Sequence, residues 1–197
     1  MNALFEALKT IEKLKEPGFP FPGSGESGAR ASVLALFSGE TFDRAEILLL
    51  KRSSTVLTHP DQVAFPGGGV EERDLGSPVE TALRETFEEV GIVRDGILPV
   101  GVLPGLPTVS GGMFVSPVLA FATPEARGAP IIPDPSEVAH AGWVRVRDLV
   151  STRTEEERMV RGARILLPEF QWEQERVWGM TALIFDLILR RYARIGE

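Results

Sequence analysis

The sequence predicts an α+β fold, with strands in the centre of the chain and helices beside them. Three observations predict it. Apolar runs of strand length recur in the middle of the chain, an amphipathic helix pattern with capping residues interrupts them, and a long apolar helix pattern closes the chain. With 197 residues, of which 43% are hydrophobic, the chain can bury a core of its own.

The elements can be assigned in chain order. An amphipathic pattern predicts a helix over residues 3–15, and a stretch rich in Pro, Gly and Ser follows it. We therefore divide the chain into residues 1–30, a helix with its connector, and residues 31–197, the main domain. Strands are predicted over 31–37, 46–51, 98–103, 113–122 and 140–146, a short hairpin from 163–167 and 171–173, and the last helix over 181–193.

A helix is also predicted over residues 78–90. Ser77 is suited to the N-cap, Pro78 to the first helical position and Gly91 to the C-terminal cap. An apolar stripe at helical spacing gives this helix a side to bury, formed by Val79, Leu83, Phe87 and Val90.

Three carboxylates occupy the same helix at spacings of i, i+3 and i+4. These residues, Glu85, Glu88 and Glu89, should share one face, opposite the apolar stripe. Three negative charges at such short distances repel one another, so a bound cation would stabilise the group. Oxygen ligands favour hard divalent ions such as Mg²⁺ or Mn²⁺. An ordinary solvated acidic face is the alternative interpretation.

The preceding run Gly67-Gly68-Gly69 favours a binding site over a solvated face. Consecutive glycines cost backbone entropy, and we see no packing purpose for them in the sequence. They let the main chain pass close to a ligand and offer it free backbone groups. We therefore expect Gly67 and Gly68 to contact a bound substrate.

The segment from Gly67 to Ile92 resembles the Nudix box of the Nudix hydrolases. The match at the end of the box is residue by residue, at Arg84, Glu85, Glu88, Glu89, Gly91 and Ile92. That family cleaves compounds in which a nucleoside diphosphate is linked to another group. The resemblance implies an α/β/α sandwich with a mixed sheet and a loop–helix–loop metal site. It also implies that the three glutamates hold the metal, with a carbonyl of Gly68 or Gly69.

The front of the box departs from the general pattern. Asp74 stands where a glutamate is expected, and the stretch from Asp74 to Arg84 is longer than usual. Arg84 could pair with Glu88 at i+4 or with an acid of the preceding loop. We expect Asp74 to be that acid, with Glu71 and Glu72 as alternatives.

Two further segments are similar to coenzyme A pyrophosphatases. One is the block from Leu48 to Pro66, and the other is Val177 to Ala182, which opens the last helix. The resemblance implies hydrolysis of coenzyme A to 4′-phosphopantetheine and adenosine 3′,5′-bisphosphate. The subfamily usually has Gly at the position of Asp61 and often Arg at that of Leu57. Hydrolysis of ADP-ribose, NADH or a damaged nucleotide, and a non-catalytic nucleotide sensor, are the alternatives.

Two more charged residues are candidates for the site. Arg52 ends a strand pattern and could contact a substrate phosphate, or it could be a solvated strand end. Glu137 follows a Pro-rich loop and could be a further ligand or the general base, or an ordinary loop carboxylate. The candidates for catalysis are thus Glu85, Glu89, Glu137 and Arg84.

Bulk properties narrow the partners. The net charge of −7 argues against non-specific binding to nucleic acid or a membrane surface, which requires basic patches. The chain has no cysteine, no recognisable signal peptide and no apolar stretch of transmembrane length. We expect a cytoplasmic enzyme with a small-molecule nucleotide substrate, and the sequence is compatible with a homodimer.

Overall fold

The computed structural model describes residues 2–14, 29–108, 112–160 and 162–196. The helices of these ranges are α1 (Ala3–Lys13), α2 (Pro78–Val90), α3 (Pro124–Gly128), α4 (Val146–Ser151) and α5 (Gly179–Ala193). The strands are β1 (Ala29–Ser38), β2 (Glu46–Arg52), β3 (Val63–Ala64), β4 (Gly67–Gly69), β5 (Ile97–Val102), β6 (Leu106–Pro107), β7 (Met113–Ala122), β8 (Val138–Arg145), β9 (Thr154–Val160), β10 (Ala163–Trp172) and β11 (Glu175–Val177).

The larger sheet of the described chain is mixed. Its central path runs β3-β2-β1-β7-β5, while β4 pairs with β1, β6 with β7 and β8 with β2. Strands β1 and β7 run parallel, and the other pairs are antiparallel. One core cluster joins one face of this sheet to α1 and α5, and a second joins the other face to α2. The predicted α+β class and the α/β/α sandwich are confirmed.

Helix α1 packs into the core of the main sheet. Its apolar residues Leu4, Leu8 and Ile11 are fully buried there. The helix is capped by Asn2, whose side chain accepts a hydrogen bond from the N–H of Phe5 at 3.1 Å. Periodic apolar residues and a cap thus form the predicted helix. The predicted Pro/Gly-rich connector over 17–28 lies outside the described residues.

The predicted hairpin near the C-terminus is wrong in its pairing. Residues 163–167 belong to the long strand β10, which pairs with β9, while residues 170–172 of the same strand pair with β11. Strand β9 was not predicted, because its sequence Thr-Glu-Glu-Glu-Arg-Met-Val has no apolar run. It is instead held by cross-strand hydrogen bonds to β10, with most of its side chains exposed.

The ends of α2 agree with the prediction. Its N-cap is Ser77, whose hydroxyl accepts from the N–H of Glu80 at 3.3 Å. The helix ends at Gly91, which has φ 73° and donates its N–H to the carbonyl of Phe87 at 2.9 Å. A glycine is favoured at this left-handed position because it lacks a Cβ.

The predicted apolar stripe of α2 is only partly buried. Phe87 is 55% exposed, whereas Leu83 and Val90 are buried, together with Thr86 and Glu89. The helix is therefore rotated relative to the prediction, so that a carboxylate lies on its inner side. This rotation turns the Glu89 carboxylate towards strand β4, where it accepts a hydrogen bond from the N–H of Gly67.

Candidate active site

Strand β4 brings the glycine run against the middle of the sheet. Ser32 of β1 pairs with Gly68, and Val33 pairs with Gly67. Gly67 has φ 155°, and a Cβ at this position would lie 2.3 Å from the carbonyl oxygen of Ser32. The run thus forms a strand, and the expectation that its glycines serve no packing purpose is wrong for Gly67. No larger residue could approach β1 so closely.

Gly68 lies directly beneath the Glu85 side chain. A Cβ on Gly68 would come within 2.5 Å of the Glu85 carboxylate. The absence of a side chain therefore lets this carboxylate lie against the backbone of β4. Among the sequence candidates, the strand and the helix bring Gly67, Gly68, Glu85 and Glu89 together.

Glu89 is buried beside β4, with 2% of its side chain exposed. Its Oε2 accepts a hydrogen bond from the N–H of Gly67 at 2.9 Å, and its Oε1 accepts from Nη1 of Arg52 at 3.3 Å. Burial raises the pKa of Glu89 to about 8, although the Gly67 hydrogen bond and the Arg52 charge oppose that rise. The prediction that all three glutamates lie opposite the buried side of the helix is wrong for Glu89.

Glu85 is less deeply placed, and burial is the largest cause that raises its pKa. Its Oε1 accepts a hydrogen bond from Nη1 of Arg84 at 2.8 Å. The charge of Glu137 contributes to the raised pKa of both Glu85 and Glu89, which places Glu137 electrostatically within the site. Burial is thus the main cause of both raised pKa values, and such shifts are frequent at functional sites.

Glu88 differs from the other two glutamates. Its side chain is 41% exposed and is paired with two arginines, Nη2 of Arg73 at 2.9 Å and Nη1 of Arg84 at 2.8 Å. Within the described ranges, no group of three or more acidic or histidine side chains is arranged to hold one metal ion. Glu88 would have to exchange its arginine partners to join Glu85 and Glu89 at an ion.

Arg84 is fixed by the acid of the preceding loop. Its Nε donates to Oδ1 of Asp74 at 2.9 Å, and its Nη2 donates to Oδ2 at 3.0 Å and to the carbonyl of Gly69 at 2.9 Å. The Arg84 guanidinium is the main cause that holds the pKa of Asp74 well below its usual range. The predicted pairs of Arg84 with Asp74 and Glu88 are both confirmed, and Glu71 also lies 3.5 Å from Arg84.

The donor set fits a hard divalent cation. Glu85 and Glu89 supply carboxylate oxygens in a partly desolvated place, next to the backbone of Gly68. A cation there would offset the burial that raises both pKa values. The residues that would hold it are Glu85 and Glu89, with the backbone carbonyl of Gly68 as a further ligand. Glu88 could join them once it is released from its arginines.

Sequence reasoning missed two contributors to this arrangement. Arg73 pairs with Glu88, and Thr81 donates its hydroxyl to Oδ2 of Asp74 at 2.9 Å. The spacing from Asp74 to Thr81 could have indicated the second contact, since the loop turns directly into the helix. Nothing in the sequence indicates that Arg52 meets Glu89, because 37 residues separate them.

Strand β4 and the following helix thus place a glycine run against two carboxylates in a mixed α/β/α sandwich. The sequence model of the NUDIX domain matches residues 28–170. The chain belongs to the NUDIX family, and it is accordingly an enzyme that acts on pyrophosphate bonds of nucleotide-derived small molecules.

Relatives and solved structures agree with this assignment. The chain is 38% identical over 142 residues to a protein named uncharacterized Nudix hydrolase NudL from Pectobacterium atrosepticum, covering 70% of each chain. It is 29% identical over 192 residues to a probable nudix hydrolase of Schizosaccharomyces pombe, covering 96% of this chain and 65% of that protein.

Two solved structures share the fold. The NUDIX domain of Shewanella oneidensis NrtR, complexed with ADP ribose, has a TM-score of 0.55 at 15% identity over 87% of this chain and 92% of that one. A C. elegans Ap4A hydrolase binary complex has a TM-score of 0.54 at 16% identity, over 85% of this chain and 97% of that one.

None of the described helices is long and apolar enough to cross a membrane.

Proposed function

We propose that the protein hydrolyses the diphosphate of coenzyme A or its derivatives, giving 4′-phosphopantetheine and adenosine 3′,5′-bisphosphate. The choice of substrate is supported by a contact between the two segments that resemble coenzyme A pyrophosphatases. The hydroxyl of Thr181, in the first turn of α5, donates to the carbonyl of Val63 in β3 at 3.1 Å, in a buried position. This bond holds the segment that leads to the glycine strand against the last helix.

The proposed cofactor is Mg²⁺ or Mn²⁺, with Glu85, Glu88, Glu89 and the Gly68 backbone as its ligands. When bound, such an ion neutralises diphosphate charge and activates the attacking water. Arg84 keeps Glu85 in place, because its guanidinium contacts that carboxylate while Asp74 holds it from the other side.

The remaining residues receive roles from their contacts. Glu89, which is buried beside β4, is the first candidate for the general base, and Glu85 and Glu137 are the alternatives. Gly67 acts through Glu89, since its N–H already donates to that carboxylate. Arg52 and the backbone of Gly68 are the proposed contacts to the substrate diphosphate.

Other functions on the same site are an enzyme for ADP-ribose, NADH or a damaged nucleotide, and a nucleotide sensor without turnover. The grouping of Glu85 and Glu89 at a place suited to a divalent ion favours catalysis over sensing, because a sensor does not require metal chemistry. A homodimer and a cytoplasmic location are further parts of the proposal, and light scattering of the purified protein tests the first.

The test is a substrate panel. The purified protein is incubated with coenzyme A, ADP-ribose and NADH, each with Mg²⁺ or Mn²⁺, and the products are identified by mass. We expect 4′-phosphopantetheine from coenzyme A as the preferred product. Glu89→Gln should abolish turnover and leave the fold intact, while Glu80→Gln, on an exposed part of the same helix, should retain it. Preference for another compound would reassign the pocket, and no turnover of any would favour the sensor.

A further inference from the structure

Arg52 is held between the proposed metal site and a loop. Its Nη1 donates to Oε1 of Glu89 at 3.3 Å, and its Nε donates to the carbonyl of Thr58, also at 3.3 Å. The side chain is 18% exposed. One planar guanidinium thus contacts both groups, which the single ammonium of a lysine could not do with the same geometry.

The loop in question, loop 53–62, connects β2 to β3. At its base, the N–H of Arg52 donates to the carbonyl of Gln62 at 2.9 Å. Towards its tip, Leu57 is fully exposed, and most of the neighbouring side chains are exposed as well. The bond from Arg52 to Thr58 therefore ties an otherwise solvated stretch of backbone to the site.

The backbone of loop 53–62 is strained where it returns to the sheet. His59 has φ 55° and Asp61 has φ 59°, values that residues with a side chain adopt at a cost. Such a conformation persists when neighbouring contacts hold it. The Arg52–Thr58 bond, directly before this strained stretch, is one of those contacts.

The Glu89 carboxylate cannot serve Arg52 and a divalent ion equally. Its Oε2 is already bonded to the N–H of Gly67, so Oε1 is the oxygen that Arg52 occupies. In this mostly buried place, a guanidinium and a divalent ion beside the same carboxylate repel each other strongly. Binding of the ion therefore favours departure of Arg52.

We propose that Arg52 is exchanged for the metal ion at Glu89, and that this exchange releases loop 53–62 from the site. The inference rests on the proposed function, because it assumes that Glu89 binds the ion. In the metal-free protein Arg52 is a positioning residue that acts through Glu89 and Thr58. After the exchange its guanidinium is available to the diphosphate of the substrate, and the loop with Leu57 can move towards it.

Metal affinity without substrate tests the first half. Mn²⁺ is titrated into the protein while free Mn²⁺ is followed by electron paramagnetic resonance. Arg52→Met should bind Mn²⁺ on the order of tenfold more tightly than the wild type, because a competing positive charge is lost. Arg52→Lys should bind like the wild type, and so should Arg94→Met, whose arginine pairs with an exposed glutamate on the same helix.

Hydrogen–deuterium exchange of residues 54–61 tests the second half. In the wild type, exchange there should rise when Mn²⁺ is added, although bound ligands generally slow exchange elsewhere. In Arg52→Met it should be raised without metal and stay unchanged when metal is added. Arg52→Lys keeps the positive charge but loses the planar guanidinium that contacts both Glu89 and Thr58. Hydrogen–deuterium exchange of its loop should therefore be like that of Arg52→Met.

Two results would overturn the proposed replacement of Arg52 by the metal ion at Glu89. One is an unchanged or weaker Mn²⁺ affinity of Arg52→Met, with a thermal unfolding midpoint like the wild type, which would mean that Arg52 merely supports Glu89. The other is loop exchange that does not respond to Mn²⁺ in a wild type that binds it. Either result leaves the proposed function standing if the wild type hydrolyses its substrate, whereas a wild type that binds no Mn²⁺ and hydrolyses no substrate with either ion overturns both.

Discussion

Replacement of Asp74 by Asn should destabilise the protein strongly. Only 3% of the Asp74 side chain is exposed, and its two oxygens accept four hydrogen bonds. Two come from Arg84, one from the hydroxyl of Thr81 and one from the N–H of Glu71 at 2.8 Å. An asparagine can accept at its oxygen only, so its NH₂ group would face a donor.

The magnitude follows from the loss of a buried ion pair. Removing one partner of such a pair typically costs about 3–5 kcal/mol. In Asp74→Asn, Arg84 keeps its contacts with Glu85, Glu88 and the carbonyl of Gly69. We therefore expect the lower end, about 3 kcal/mol, measured at pH 7 as the shift of the urea midpoint multiplied by the m-value.

The pH dependence of this loss provides a second check. Because the folded pKa of Asp74 is depressed, its contribution is present above the unfolded pKa and is lost as the pH falls through the folded pKa. The difference between wild type and Asp74→Asn should stay constant from pH 7 to about pH 4 and narrow below it. Glu80→Gln, which breaks an exposed ion pair with Arg94, is the control and should unfold like the wild type. An Asp74→Asn variant as stable as that control would refute the reasoning.

Three further perturbations have defined outcomes. Gly67→Ala should destabilise by more than about 3 kcal/mol in urea unfolding, since its Cβ would lie 2.3 Å from the Ser32 carbonyl oxygen. Gly69→Ala is the matched control for Gly67→Ala, because its Cβ would meet no heavy atom within 4 Å, and it should leave stability unchanged. Equal losses of stability in Gly67→Ala and Gly69→Ala would contradict the packing described for β4. Leu8→Ala should cost about 2–5 kcal/mol if α1 belongs to the core, and an unchanged thermal midpoint would separate it from the core. Removal of metal by EDTA should abolish hydrolysis, and Mg²⁺ or Mn²⁺ should restore it; turnover that persists in EDTA would exclude the proposed cofactor.

Much of the architecture was accessible from sequence because it depends on local signals. The cap at Ser77, the left-handed glycine at Gly91 and the helical spacing between them define α2 without reference to other elements. Apolar runs likewise located the central strands β1, β2 and β7, whose residues are buried on both faces of the sheet. The resemblance over the same helix identified the family.

Other features depend on which element each residue packs against. Helical spacing placed three glutamates on one face, yet Glu89 is buried beside β4 while Glu88 is exposed and paired with Arg73 and Arg84. Strand β9 consists mainly of charged residues and pairs only because β10 offers a partner edge. The spacing of residues in the sequence does not specify which element a side chain packs against. That packing partner decides how far the side chain is buried and how its pKa shifts.

The sequence by itself determined the fold class, the boundaries of α2 and the identity of the acidic candidates, because capping and periodicity act within a few residues. Only the tertiary structure decided that Gly67 must lack a Cβ, that Glu89 is buried beside β4, and that Arg52 meets Glu89. These contacts join residues distant in the chain, and their energies depend on burial that exists only after the sheet and helices have packed.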